Sequence, residues 1–345
     1  MGVPGADPRV LGPYLAEQLG DDGWREPVVE VVPGGRSNLT YFVSAPPGEL
    51  VLRRPPLRAV RPTAHDMTRE HRVLSGLTGT AVPVPRPVLL CSDPDVLGAP
   101  FYLMERVPGV VVRAAFPAGY ASEPADRAAI TRAMVDVLAD LHAVDPAAVG
   151  LDGFGRPEGY LARQLRRWSG EWQALRSGDL PAVDALAAEL GAGLPDAAAG
   201  PIVHGDYKLD NLVLDPADPG RIAAVLDWEM STLGDPLADL GLLLVYWQPA
   251  GATGSVVPSV TGLPGFPGRS DVAARYAERT GRDVGALPWY VAFGYFKLAV
   301  VVAGIVVRQR AGAMADNTDD GLGDSIGPLA GAGRDALTRS ADDLD

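Results

Sequence analysis

Three side chains bearing oxygen donors crowd one short polar loop. The stretch Ile202-Val203-His204-Gly205-Asp206-Tyr207-Lys208-Leu209-Asp210-Asn211-Leu212-Val213-Leu214 sets Asp206, Asp210 and Asn211 between two apolar runs. It reads as a short strand, a loop and a second strand. Asp206 is suited to accept a hydroxyl proton, and Asn211, five residues on, offers a carbonyl oxygen to Mg²⁺. Asp215-Pro216-Ala217-Asp218-Pro219-Gly220 is dense with turn formers. Ile222 to Leu226 then reads as a strand that returns on Leu212–Leu214 as a hairpin. The return is expected to bring Asp227 to the base of the first loop. A base at Asp206 with metal ligands at Asn211 and Asp227 is the set of groups that phosphoryl transfer from ATP requires.

These motifs carry a family resemblance. His204-Gly205-Asp206 through Asn211, followed by Leu226-Asp227-Trp228-Glu229, resembles the aminoglycoside phosphotransferase family, which is similar in fold to protein kinases and choline kinases. The resemblance implies an α+β, bilobal protein-kinase-like fold with ATP and Mg²⁺ as cofactors. Residues 1–107 would form a small antiparallel β lobe with the hinge, and residues 108–345 a larger, mainly helical lobe with a flexible tail. His204 is expected to brace the backbone and Glu229 to support the metal through water.

Leu11, Leu15 and Leu19 suggest a leading helix. Val28–Val32 and Thr40–Val43 read as strands around Pro33-Gly34-Gly35-Arg36-Ser37-Asn38-Leu39. Such a loop can lay backbone N–H groups over phosphate, and most are plain hairpins; Ser37 and Asn38 are the side chains best placed for phosphate. Leu50 to Arg54 is a third strand, and a helix is expected near Ala64 to Leu77. Glu70 shares the apolar face of that helix with Met67, Leu74 and Leu77, and an inward carboxylate needs a cation. The resemblance supplies Arg53, where aminoglycoside phosphotransferases usually have lysine. Arginine can make the same ion pair and hold phosphate bidentately. Val88–Cys91 and Phe101–Met104 are further strands, and the resemblance makes the following turn the adenine hinge, with Glu105 and Val107 acting through backbone atoms.

In the second half, Ile130, Met134, Val137, Leu138 and Leu141 form a helical core stripe. The block from Gly150 to Trp168 resembles a narrower branch, the kinase-like domain fused to some acyl-CoA dehydrogenases. Overall the resemblance runs from about Val28 to about Arg310. Arg163, Arg166 and Arg167 are spaced to share one helix face. That face is either solvated or a basic wall at the acceptor pocket. Asp235 reads as a helix cap before Pro236, and Asp239 as a brace for the catalytic loop. Residues 249–269 are rich in Gly and Pro, and read as a mobile acceptor-site loop or simple disorder. Trp289 to Val307 is almost wholly apolar and the length of a membrane span; Lys297 and two glycines within it favour a buried core helix. A short helix is expected near Leu329–Leu337.

Composition sets the outer bounds. At 345 residues and 47% hydrophobic content the chain can bury a large core. A net charge of −13 argues against nucleic-acid binding. One cysteine, Cys91, excludes an internal disulfide and fits a cytoplasmic setting, and four scattered histidines give no zinc spacing. The expected activity is ATP- and Mg²⁺-dependent phosphorylation of a small-molecule hydroxyl. The acceptor is a hydroxyacyl compound or hydroxyacyl-CoA, with an aminoglycoside or other antibiotic as the rival. A non-catalytic nucleotide-binding module is the alternative of another class. No membrane and no partner protein are expected.

Overall fold

The computed structural model describes residues 3–33, 38–57, 66–175, 179–196, 200–248, 259–310 and 321–345. The chain forms two compact units, Met1–Gly109 with Ala223–Glu229, and Val110–Ile222 with Met230–Asp345.

The first unit is built on an antiparallel sheet of β1 (Val28–Val31), β2 (Leu39–Ala45), β3 (Gly48–Arg54), β4 (Pro87–Cys91) and β5 (Phe101–Glu105), in the order β1-β2-β3-β5-β4. Strand alternation divides its residues between two faces. Val29, Tyr41, Val43, Leu50, Leu52, Phe101 and Leu103 join Leu11 and Leu15 of α1 (Pro8–Leu19) in one apolar cluster. Val51, Arg53, Tyr102 and Met104 alternate with these and take the other face, where α2 (Met67–Leu77) packs against β4 and β5. α2 begins later than the expected Ala64. Asp66 caps it by accepting from the Thr68 and Arg69 N–H groups, and residues 58–65 lie outside the described residues. The short helix α3 (Pro94–Leu97) links β4 to β5.

The second unit is mainly helical: α4 (Pro124–Ala143), α5 (Tyr160–Leu175), α6 (Pro181–Ala192), α7 (Pro236–Tyr246), α8 (Arg269–Thr280), α9 (Leu287–Arg310) and α10 (Ile326–Ala336). Four short strands flank the His204–Asn211 loop, and Ala223–Val225 of one of them fall in the first unit. β6 (Ile202–Val203) pairs with β9 (Thr232–Leu233), and β7 (Leu212–Leu214) forms a ribbon with β8 (Ile222–Val225). The expected hairpin is therefore present. Asp215 closes its turn: its N–H donates to the Arg221 carbonyl at 2.9 Å, and its carboxylate accepts from the Ala217 and Asp218 N–H groups.

α9 is the apolar segment long enough to cross a membrane, and 72% of its apolar window is buried in the protein, against α5, α6, α7 and α10. α10 packs on α9 and α6, which corrects the expected loose tail for residues 321–345; Leu344 is buried as well. Residues 249–258 of the expected acceptor-site loop lie outside the described residues. Gly150, Gly153 and Gly159 of the 150–160 block hold positive φ, whereas Gly155 is set by packing. A Cβ on Gly155 would run into Thr232 and Leu233 of β9, and one on Gly234 would meet the Tyr160 ring at 2.8 Å.

Candidate active site

Arg53 stands on β3 opposite Tyr102 of β5, on the face that meets α2. It is 8% exposed, and its guanidinium lies 3.4 Å from Glu70 Oε2 and 2.9 Å from Asp227 Oδ1. Glu70 is itself buried. It accepts from the Tyr102 hydroxyl at 2.9 Å and from the Asn38 amide at 2.8 Å. Burial pushes the Glu70 carboxyl up, while the Arg53 charge and the Tyr102 bond oppose this. The expected Arg53–Glu70 pair is thus present, extended to Asp227 of the same unit. Asp227 holds this place with φ +66, a strained backbone for a residue other than glycine.

Asn38 takes a position unlike the expected phosphate contact. Its side chain is 3% exposed, and its amide donates to Glu70 and, at 3.1 Å, to Glu229. The buried Glu70 carboxylate and the half-buried Glu229 both need donors, which draws the Asn38 amide inward. Its Oδ1 is buried without a hydrogen-bond partner among the described residues. Ser37 lies outside the described residues. The Glu105 N–H is already spent on the Arg86 carbonyl at 2.9 Å. Val107, beyond the end of β5, makes no backbone–backbone hydrogen bond among the described residues.

In the second unit the loop after β6 is braced from beneath. The buried carboxylate of Asp239 on α7 accepts from the His204 N–H at 2.6 Å and the Gly205 N–H at 2.7 Å. His142 of α4 lies 3.2 Å from the same carboxylate and 2.7 Å from the Tyr276 hydroxyl. His204 is fully buried and its Nδ1 accepts from the Asp206 N–H at 3.2 Å, a bracing role. Gly205 is required here. Its φ is +84, and a Cβ would meet the Met230 carbonyl oxygen at 2.7 Å.

On this base the Asp206 side chain is partly exposed. Lys208 Nζ lies 3.0 Å from its Oδ2. The Asn211 amide donates to the Asp206 carbonyl at 2.9 Å and to Oδ2 at 3.2 Å, which leaves Asn211 Oδ1 uncommitted among the described residues. Burial pulls the Lys208 ammonium down, but the Asp206 carboxylate outweighs this and holds it above its ordinary value. Lys208 also stands 4.8 Å from the Tyr246 ring centre.

The three arginines of α5 are not one free cationic face. The Arg163 guanidinium donates to the carbonyls of Glu158 and Arg156, holding the preceding loop. Arg167 lies 3.5 Å from Glu171, and Arg166 is exposed. Sequence reasoning passed over Tyr102, His142 and Lys208, and gave Lys297 no role. Only Lys297 left a signal, as a lone charge inside an apolar helix.

Comparison with known proteins decides the family. Residues 28–280 match the model of the phosphotransferase enzyme family. The chain belongs to that family. A candidate aminoglycoside phosphotransferase of Ralstonia eutropha superposes with a TM-score of 0.82 at 34% identity, over 97% of this chain and 99% of its own. APH(4)-Ia, solved with AMP-PNP and hygromycin B, shares the fold at 15% identity, with a TM-score of 0.62 over 95% of this chain and 98% of its own. Rat acyl-CoA dehydrogenase family member 11 is 36% identical over 95% of this chain. The chain spans 43% of that relative's length. The kinase-like phosphotransferase fold expected from the His204–Asn211 and Leu226–Glu229 motifs is the fold observed, and the acyl-CoA dehydrogenase-associated branch is among its relatives.

Proposed function

We propose that this phosphotransferase-family chain moves the γ-phosphoryl group of ATP to a hydroxyl of a small molecule, and that the acceptor is a hydroxyacyl compound or hydroxyacyl-CoA. The observation that carries the reaction type is the braced loop. Asp239 fixes the peptides on either side of His204, and Asn211 and Lys208 fix the Asp206 carboxylate. A base so held takes the acceptor's proton as the hydroxyl oxygen bonds to the γ-phosphorus and the bond to the β–γ bridging oxygen breaks, releasing ADP. Arg53, fixed by Glu70, supplies a buried cation for the nucleotide phosphates.

Asn211 Oδ1 and the Asp227 carboxylate are hard oxygen donors that suit Mg²⁺. They are two protein ligands, and the rest of the ion's shell would come from phosphate oxygens and water. When bound, Mg²⁺ neutralises charge on the phosphate oxygens.

The acyl acceptor is supported by relatives named for acyl-CoA chemistry. An aminoglycoside acceptor is the second reading, favoured by the description of the Ralstonia protein. The test is transfer of labelled phosphate from ATP to 3-hydroxyacyl-CoAs, the free hydroxy acids and kanamycin. Asp206→Asn is expected to lower turnover roughly 100-fold or more with ATP binding retained. Near-normal turnover in that variant would remove Asp206 as the base.

A further inference from the structure

Within α9, Lys297 is the one charged residue before the last turn, where Arg308 and Arg310 lie. A charge so placed is costly unless partners meet it. Its Nζ donates to the Gly205 carbonyl at 3.3 Å and stands 5.5 Å from the centre of the Trp168 ring. An ammonium has three N–H donors, and one carbonyl with an aromatic face leaves that capacity unfilled. Trp168 adds an independent sign. Its side chain is buried, and its Nε1–H has no hydrogen-bond partner among the described residues. A buried indole N–H is normally bonded.

The charged groups facing Lys297 do not complete it. Burial pulls its ammonium below the ordinary value; Asp206 and Asp239 oppose this, and Arg167 and Lys208 add to it. Asp239 is spent on two backbone N–H groups and His142, and Asp206 on Lys208 and Asn211. The corner beside the peptide that precedes Asp206 is therefore rich in donors and poor in acceptors. With the ammonium 5.5 Å from the centre of the Trp168 ring, the two under-used donors share one neighbourhood.

We propose that Lys297 and the Trp168 indole N–H bind an anionic group of the acceptor, making Lys297 a specificity-determining residue of the phosphotransfer. The basic selector expected on the outer face of α5 is thereby placed on α9, next to the base-bearing loop. Like charge excludes a polycationic amine from the same corner. The inference rests on the phosphotransfer reading and deepens it.

Lys297→Met keeps the aliphatic stem, and Trp168→Phe keeps a ring but removes the donor. Each full-length variant is assayed with saturating ATP against 3-hydroxydecanoyl-CoA, free 3-hydroxydecanoate, 1,3-decanediol and kanamycin, and binding of each acceptor is measured separately by calorimetry. Lys297→Met is expected to weaken binding of, and raise KM for, an anionic acceptor by about ten-fold or more, with KM for ATP and for the diol unchanged. Trp168→Phe is expected to act in the same direction with a smaller effect. Sensitivity to the CoA compound alone assigns the corner to phosphate, and sensitivity to the free acid assigns it to carboxylate. Equal losses on the diol, unchanged affinity for both anions, or efficient phosphorylation of kanamycin would overturn the proposal. Lys297-dependent anion binding without phosphotransfer to any acceptor would keep the site and remove the phosphotransferase reading instead.

Discussion

Asp239 holds the catalytic loop from outside it. Its carboxylate takes two consecutive backbone N–H groups while lying 3.2 Å from His142, all out of water. Burial pushes this carboxyl up, but the His142 hydrogen bond and charge and the Gly205 N–H outweigh it, so it sits below its ordinary 3.8. The group therefore stabilises the fold fully above 3.8, and that contribution is lost as pH falls through the depressed folded value. Asp239→Asn should lower Tm at neutral pH by several degrees, with the gap to wild type closing on acidification below 3.8. Melting curves across that range check it, and a pH-independent gap would mean Asp239 is not charged in the fold. Asp206, Asn211 and Asp239 were legible in the sequence because one short motif and one capped helix fix them. Arg53 and Glu70 were legible because an inward carboxylate demands a cation. Tyr102 and His142 were not, because their partners lie 32 and 97 residues away and no local period records them; Lys297 showed only as a lone charge in an apolar helix, with its partner 92 residues away.

At the scale of elements, α7 and α9 are held at backbone distance. A Cβ on Gly241 would lie 2.6 Å from the Tyr290 backbone and 2.7 Å from its carbonyl oxygen, and one on Gly294 would lie 2.8 Å from Val245. This approach matters because α7 carries Asp239 and α9 carries Lys297, so the two helices position the brace and the proposed anion selector. Gly241→Val should destabilise the fold by roughly 1–3 kcal/mol through overpacking. It should also impair turnover on anionic acceptors more than Val301→Ala, a change at an exposed position of α9. Urea unfolding alongside kinetics checks both, and wild-type stability in Gly241→Val would mean the helices can separate freely. The apolar character of α9 was plain in the sequence, whereas this contact was not. A glycine inside a helix records that something comes close, but not which element does.

At the scale of the whole chain, a net charge of −13 coexists with a buried cation at Arg53 and half-buried ones at Lys208 and Lys297. Each of these three cations has a carboxylate or carbonyl partner, and the net acidity underlies the expectation against nucleic-acid binding. The chain also divides its chemistry between two compact units. Asp206 and Asn211 belong to the second, whereas Arg53, Glu70 and Asp227 belong to the first, which Asp227 joins through the returning segment Ala223–Glu229. A ligand that binds only the folded chain stabilises it by mass action, by about 2.7 kcal/mol at a hundred-fold excess over Kd. For a chain of this size that corresponds to several degrees in Tm. ATP with Mg²⁺ should therefore raise Tm more than ATP with EDTA, since the metal donors are proposed to act only on a metal-bound nucleotide. Asp227→Ala should abolish the Mg²⁺-dependent part of the shift. Asp206→Asn, which removes the base but neither metal donor, should keep it while losing turnover. Thermal melts of the three proteins under both conditions separate the roles. An equal shift with Mg²⁺ and with EDTA in the wild type would remove Asn211 and Asp227 from metal binding while leaving the base assignment to be judged on turnover alone.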